Sequence, residues 1–166
     1  MLKGVKMMKK VNWGILSTAG IAQKALLPAF MRAENACVTA IATGSDLMKA
    51  NEIAEKFQIK KVYDSYGKLL EDPSIDAVYI PLPNHLHKQW VIEAAKKGKH
   101  ILCEKPAALT AEEAAEMIQI CEEENVLFME AFMYHFHPQH ARVKEMIERG
   151  DIGKVTYMTA SFSFYL

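Results

Sequence analysis

The chain has 166 residues, of which 51% are hydrophobic and 24% are charged, and its formal net charge at pH 7 is zero. This hydrophobic fraction predicts a folded domain with a buried core and argues against a disordered chain. The zero net charge argues against nucleic acids and anionic membranes as partners held by bulk electrostatics. No apolar run is long enough to span a bilayer. Three widely spaced cysteines predict buried, reduced thiols in a cytoplasmic protein.

Strand-like and helix-like segments alternate along the chain with short connections. Strands are predicted at Val11–Ser17, Cys37–Thr43, Val62–Tyr63, Ala77–Ile80, His100–Cys103 and Val126–Glu130. Helices are predicted at Gly20–Ala33, Asp46–Phe57, Ser65–Leu70 and Asn84–Lys97, from Thr110 to near Asn125, and from Pro138 to Arg149. This alternation is typical of a mostly parallel sheet covered by helices on both faces, so the predicted fold class is α/β and doubly wound.

Several residues indicate where the helices begin and end. Asp46 and Asn84 are predicted N-caps, and Thr110 with Glu113 matches a capping box. Gly98 is predicted to end the helix that begins at Asn84.

The last segment, Lys154–Leu166, has a different pattern. Apolar and polar residues alternate there, which predicts a half-buried antiparallel strand. No later strand follows to pair with it, so we expect a chain cut off just inside a second, α+β domain. The predicted organisation is a tail at 1–10, a first domain at 11–134, and a connecting helix with one strand at 135–166.

Three motifs carry a resemblance to a known family. They are PLPNHLH at 81–87, GKHILCEKP at 98–106 and MEAFMYHFHP at 129–138. Together they resemble the glucose-fructose oxidoreductase / inositol dehydrogenase / MocA-type oxidoreductases, and among these the dihydrodiol dehydrogenase-like members. The resemblance implies a Rossmann-type sheet that binds NAD or NADP. It also implies that a second acid/base residue and most substrate contacts come from a C-terminal domain, so the chain alone is expected to turn over little or nothing.

The turn after the first strand is the expected pyrophosphate site. Aligned on the family, Ser17, Ala19 and Ala22 take the three positions of the G-x-G-x-x-G fingerprint. The residues between them in the same turn, also expected to contact the cofactor, are Thr18, Gly20 and Ile21. A small-residue turn of this kind also occurs without a ligand. Here a helix begins at the turn, and its free N–H groups and dipole favour a diphosphate.

The second strand ends at Thr43, Gly44 and Ser45, with Lys49 one helical turn later. No Asp or Glu stands at the tip to accept from a ribose 2′-hydroxyl, whereas this turn suits a 2′-phosphate. NADP is therefore favoured over NAD, with Lys49 near the 2′-phosphate. The alternative interpretation is that Lys49 is only a solvated side chain with no role in binding.

The resemblance places further residues beside the cofactor. Leu82, Pro83 and Asn84 are expected on its ribose and nicotinamide side, and Tyr134 in the pocket wall. His87 matches a family position near the cofactor, although a helical His is equally explained as an exposed side chain. No metal site is predicted, because the closely spaced His135, His137 and His140 lack cysteine or carboxylate partners.

Lys105 is the predicted reactive residue. A half-buried ammonium beside the nicotinamide would stabilise charge on the substrate oxygen during hydride transfer, with Glu104 orienting it. The competing interpretation is an exposed ion pair at a strand end. The predicted function is hydride transfer to or from a CH–OH or C=O group of a sugar, polyol or diol, in a protein that forms a homo-oligomer through its C-terminal sheet. The alternatives are a non-catalytic NAD(P)-binding regulator and a module that binds no cofactor.

Overall fold

The computed structural model describes residues 10–163. Within them six strands form one sheet in the order β3-β2-β1-β4-β5-β6. The strands are β1 Val11–Leu16, β2 Ala36–Ala42, β3 Lys61–Tyr63, β4 Ala77–Ile80, β5 His100–Cys103 and β6 Phe128–Glu130. Every neighbouring pair is parallel. The six strands predicted before Lys154 and the doubly wound class are confirmed, with the strand order of a Rossmann fold, which reverses between β1 and β4.

Five helices alternate with these strands along the chain, and a sixth follows β6. They are α1 Leu27–Arg32, α2 Leu47–Phe57, α3 Tyr66–Leu70, α4 Asn84–Lys96, α5 Ala111–Glu123 and α6 Pro138–Glu148. A π-helical segment, Ala22–Leu26, runs directly into α1. Pro28 accounts for this wider turn, because it has no N–H and its ring would clash with the carbonyl of Lys24 in a regular α-helix. None of the helices within residues 10–163 has the length and hydrophobicity that a bilayer-crossing helix needs.

The core consists of one apolar cluster on each face of the sheet. Side chains alternate along each strand, so Leu16, Val78 and Ile80 belong to one cluster and Ile15 and Tyr79 to the other. This two-sided burial explains why the strands are continuously apolar in sequence.

Close packing of α3 depends on Gly14 of β1. A Cβ placed on Gly14 would lie 2.5 Å from a terminal carbon of Leu69. Leu69 is completely buried between α3 and the sheet. A larger residue at position 14 would therefore displace the Leu69 side chain from this position.

Most of the predicted helix ends are confirmed. The Asp46 side chain accepts from the N–H of Lys49 at 2.9 Å, and Gly98 ends α4 with φ of +69°. Thr110 accepts from the N–H of Glu113, while the Glu113 carboxylate accepts from Leu109 rather than from Thr110. These contacts satisfy backbone groups that the helices leave free.

The predicted N-cap role of Asn84 is wrong. Pro83 occupies that position, with φ of −57° and ψ of 142°, and Asn84 is the first helical residue. The pyrrolidine ring fixes φ of this cap residue, and the helix begins one residue earlier than a cap at Asn84 would place it.

Phe132 and the described residues that follow it form a second compact unit. Its regular elements within the described residues are a 3-10 helix, Met133–Phe136, and α6, which Gly150 follows with φ of +73°. Residues 154–163 form no strand, so the strand predicted at Lys154–Leu166 is wrong over that part, and residues 164–166 lie outside the described residues. An extended segment needs hydrogen bonds from a neighbouring strand, and the described residues of this unit contain none.

Candidate active site

The site is built on the carboxyl edge of the sheet, where the chain order reverses. β1 and β4 pair side by side, with Ile15 opposite Tyr79, and β4 pairs with β5, with Ile80 opposite Cys103. The three strands therefore end at a similar level. The Ser17–Gly20 turn, the Leu82–Asn84 loop and Lys105 follow them along one edge, which is where open α/β sheets bind ligands.

The backbone of Ser17 is strained. Its φ is +148°, a region that glycine adopts and other residues avoid. Its hydroxyl oxygen accepts from the N–H of Ala19 at 2.9 Å, which supports the tight turn. Ser17 therefore has the conformation that the first glycine of a dinucleotide fingerprint usually supplies, although the sequence departs from glycine there.

The helix after this turn points its first N–H groups at the carboxyl edge. Gln23 closes the turn, donating from its side chain to the carbonyl of Thr18 at 2.9 Å and from its backbone to that of Ala19 at 3.4 Å. The N–H groups of Gly20 and Ile21 belong to the first helical turn, where no intrahelical acceptor exists. These donors and the helix dipole suit a diphosphate.

Thr43 shapes the turn after β2. Its buried hydroxyl oxygen accepts from the N–H of Ser45 at 3.2 Å and from that of Asp46 at 3.1 Å. Gly44, Ser45 and Lys49 are exposed. The turn thus presents the Ser45 hydroxyl and the Lys49 ammonium to solvent, with Asp46 engaged as a helix cap.

His87 is completely buried. Its Nδ1 lies 2.9 Å from the carbonyl oxygen of Pro106, and its Nε2 lies 2.8 Å from that of Leu82. The interpretation of His87 as an exposed side chain is therefore wrong. Because both ring nitrogens face backbone carbonyls, any effect of His87 on a cofactor must pass through the two loops that it joins.

The turn at Lys105 is held by its neighbours. The Tyr79 hydroxyl donates to Glu104 at 2.5 Å, and the Ala107 N–H donates to Glu130 at 2.8 Å. The Lys105–Pro106 peptide bond is cis. Glu104 also accepts from the backbone N–H of Lys105 at 3.3 Å.

The Lys105 side chain is exposed, and its ammonium forms no hydrogen bond or ion pair with any residue from 10 to 163. The sequence predicts a half-buried Lys105, whereas the side chain is exposed among the described residues. The competing interpretation, an ion pair with Glu104, is wrong within the same residues, because Glu104 receives the Tyr79 hydroxyl instead.

Burial governs two protonation equilibria here. It raises the pKa of the Cys103 thiol to about 12, with Glu104 and Glu130 acting in the same direction. Burial, together with the bond to Glu104, also raises the pKa of Tyr79 well above its usual value. Tyr79 therefore stays a neutral donor to Glu104, and Cys103 stays an unreactive thiol.

Two residues of this arrangement were missed from the sequence, Tyr79 and Glu130. Tyr79 is the one hydroxyl-bearing side chain in β4, and Glu130 ends the otherwise apolar β6. A polar group placed within a short, otherwise apolar strand was the available signal, because such groups need a partner where they are buried.

Tyr134 belongs to the second unit and is half exposed, with its ring 4.9 Å from that of His135 and 5.6 Å from that of His140. Its contact with a cofactor stays a prediction. Among residues 10–163, no three His, Cys, Asp or Glu side chains are arranged to hold a metal ion.

Comparisons with known proteins agree with this geometry. The chain is 46% identical over 154 residues to a D-xylose 1-dehydrogenase (NADP(+)) of Haloferax volcanii, covering 93% of this chain and 46% of that protein. It is 35% identical over 152 residues to trans-1,2-dihydrobenzene-1,2-diol dehydrogenase of Xenopus tropicalis, covering 91% and 46%. The chain thus spans about half the length of these curated relatives.

A solved structure also matches. It is a 3-ketoreductase from Actinomadura kijaniata in complex with NADP and TDP-benzene, with a TM-score of 0.79 and 37% identity, over 86% of this chain and 43% of that one. Residues 11–132 match the model described as the oxidoreductase family with an NAD-binding Rossmann fold. The chain therefore belongs to the glucose-fructose oxidoreductase / inositol dehydrogenase / MocA-type oxidoreductase family.

Proposed function

We propose that this chain is the NAD(P)-binding half of an oxidoreductase that transfers a hydride between a nicotinamide cofactor and a CH–OH or C=O group of a sugar, polyol or diol. One observation carries the proposal: the Ser17–Gly20 turn and Lys105 follow β1 and β5, with only β4 between them. Strand spacing sets those two strands about 10 Å apart, a separation that one dinucleotide spans. Relatives named for D-xylose and a dihydrodiol support the substrate class.

The cofactor assignments follow from the turns at this edge. The pyrophosphate lies on the N–H groups around Ala19 and Gly20, and the 2′-phosphate of NADP lies near Ser45 and Lys49. The Leu82–Asn84 loop contacts the ribose and nicotinamide side. NADP is favoured over NAD because this chain offers a cation and no carboxylate for a ribose hydroxyl at the end of β2.

Lys105 acts on the substrate oxygen. When bound, the nicotinamide supplies or accepts the hydride. The Lys105 ammonium donates a hydrogen bond to the oxygen of the reacting carbon and stabilises the negative charge that develops there. It forms no bond with another described residue, so it is available to the substrate. Glu104, held by Tyr79, shapes the turn from which Lys105 extends.

Replacing Lys105 by Met in the full-length protein tests this role. The length of the side chain is retained and its charge is lost, so we expect turnover to fall about 100-fold or more, while the cofactor dissociation constant changes no more than a few-fold. Lys96→Met is the matched control, because Lys96 is an exposed lysine at the far end of α4. Unchanged turnover in Lys105→Met removes Lys105 from the mechanism.

Assays over a panel of sugars and polyols, run with both NAD and NADP, test the function itself. Dehydrogenase activity with a member of this panel is expected. A full-length protein that binds the cofactor and transfers no hydride to any substrate would be a regulator instead. We further propose that the protein is cytoplasmic. We also propose that it forms a homo-oligomer through the sheet of its C-terminal domain, and sedimentation of the full-length protein tests this oligomeric state.

A further inference from the structure

The hydrogen-bonded ladder between β4 and β5 ends just before the Lys105 turn. Its last bond runs from the N–H of Glu104 to the carbonyl of Ile80 at 3.1 Å. Beyond it the two chains enter separate loops, and the sheet no longer determines their relative position. His87 lies between these loops two residues further on, and its ring nitrogens face the carbonyls of Leu82 and Pro106. Both carbonyls only accept, so each bond needs an N–H on the ring nitrogen that faces it.

The Pro106–Ala107 peptide is held at both of its polar ends. Its carbonyl oxygen lies 2.9 Å from Nδ1 of His87. Its N–H donates to the Glu130 carboxylate at 2.8 Å. Rotating this peptide would break both contacts, so the two side chains fix its orientation.

The position of Lys105 depends on that peptide. The Lys105 ammonium has no partner among residues 10–163, so no side-chain contact within this part of the chain determines its direction. The direction of the Lys105 side chain is therefore set by the backbone. His87 and Glu130 hold that backbone one residue later, at Pro106–Ala107. Tyr79 holds it one residue earlier, through the Glu104 side chain.

We propose that His87 and Glu130 are positioning residues, which hold the Pro106–Ala107 peptide from both sides and thereby direct Lys105 towards the reacting centre. This inference rests on the role of Lys105 given above. It also assigns a ring N–H of His87 to Nδ1, from which it donates to the Pro106 carbonyl and orients the Lys105 turn.

Two amide substitutions of His87 test this assignment in the full-length protein. In His87→Asn the side-chain N–H takes the place of Nδ1 and retains the bond to Pro106. In His87→Gln it reaches the place of Nε2, faces the Leu82 carbonyl and leaves the Pro106 carbonyl without this donor. We expect His87→Asn to keep turnover within about threefold of wild type and His87→Gln to lose about tenfold or more.

A purely structural role would lower the melting temperature of both variants and leave their turnover numbers equal below both melting points. That result, or the reverse order of turnover, overturns the proposal. Hydrogen exchange at the Ala107 amide gives a readout independent of activity. Faster exchange in His87→Gln than in His87→Asn is expected, and equal exchange in the two variants contradicts the proposal.

Glu130 provides the second test if a His87 variant does not fold. Glu130→Gln keeps an acceptor for the Ala107 N–H, whereas Glu130→Ala removes it. Turnover is expected to survive in the first and to fall about tenfold in the second, with cofactor affinity within about threefold in both. Full turnover in Glu130→Ala overturns the proposal. Failure of the Lys105 assignment is recognised separately, because turnover would then be unchanged in Lys105→Met. In that case hydrogen exchange at the Ala107 amide still shows whether the Pro106–Ala107 peptide is held.

Discussion

Removing the hydroxyl of Tyr79 measures how strongly the Lys105 turn is held. The ring is completely buried, and its hydroxyl donates to the Glu104 carboxylate at 2.5 Å. A net hydrogen bond to a charged group stabilises the fold by about 1.5–3 kcal/mol. Glu104 is partly exposed and regains some hydration in Tyr79→Phe, which favours the lower end of that range. The melting temperature should fall by about 3–12 °C.

Tyr63→Phe is the matched control. Tyr63 donates to the Asp72 carboxylate at 2.8 Å, so it makes a similar bond on the segment that precedes β4, remote in sequence from the Lys105 turn. Both variants should lose similar stability in urea unfolding. Only Tyr79→Phe should reduce turnover, by about tenfold, because it releases the residue beside Lys105. Equal turnover in the two variants would refute the role of Tyr79.

Alkaline pH adds an independent check. Burial and the bond to Glu104 raise the pKa of Tyr79 in the folded state. Above about pH 10 the unfolded chain therefore ionises at this residue before the folded chain does, and the contribution of Tyr79 to stability decreases as pH rises. The stability difference between wild type and Tyr79→Phe should shrink from pH 8 to pH 11. A constant difference would show that the phenol does not titrate as the structure implies.

Three further predictions concern other parts of the chain. Burial alone would raise the pKa of Asp72, but hydrogen bonds from Lys61, Ser74 and Tyr63 outweigh it and hold the pKa well below its usual value. Its stabilising contribution is therefore present above about pH 4 and is lost as pH falls below it. The urea-unfolding difference between wild type and Asp72→Asn should shrink from pH 7 to pH 3, and a difference that grows would contradict this. In urea unfolding, Ser17→Gly should be more stable than Ser17→Ala by about 1–2 kcal/mol, because both variants lose the bond to Ala19 and only glycine relieves the positive φ. The opposite order, with the Ala variant more stable, would exclude backbone strain at Ser17. Lys49→Ala should raise the KM for NADP about tenfold and leave that for NAD unchanged, as expected for one lost charge-assisted bond; equal effects on both cofactors would remove Lys49 from the 2′-phosphate site.

The strands and most helix ends were predictable because their causes are local. Short, mainly apolar runs predicted the exact bounds of β4 and β5. Asp46 and Thr110 indicated the starts of α2 and α5, because each accepts a hydrogen bond from the backbone N–H three residues later. Asn84 failed as a cap because the preceding proline competes for the same role. The alternation of apolar and polar residues at 154–163 has the period of a strand, but it does not specify a partner strand. A strand forms only when a partner from elsewhere in the sequence pairs with it.

The contacts that hold the site could not be predicted, because they join distant parts of the chain. Tyr79 and Glu104 are 25 residues apart, and Ala107 and Glu130 are 23 apart. The burial of His87 follows from the packing of α4 over the two loops, whereas its sequence neighbours are exposed or partly so. A sequence motif identifies such residues, and only the fold shows which groups they contact.

The most direct test of the account is the structure of the full-length protein with NADP bound. We expect the pyrophosphate on the Ser17–Gly20 turn and the Lys105 ammonium beside the reactive carbon of the nicotinamide, on the face open to substrate. A cofactor bound elsewhere, or a Lys105 ammonium turned away from the nicotinamide into solvent, would contradict it.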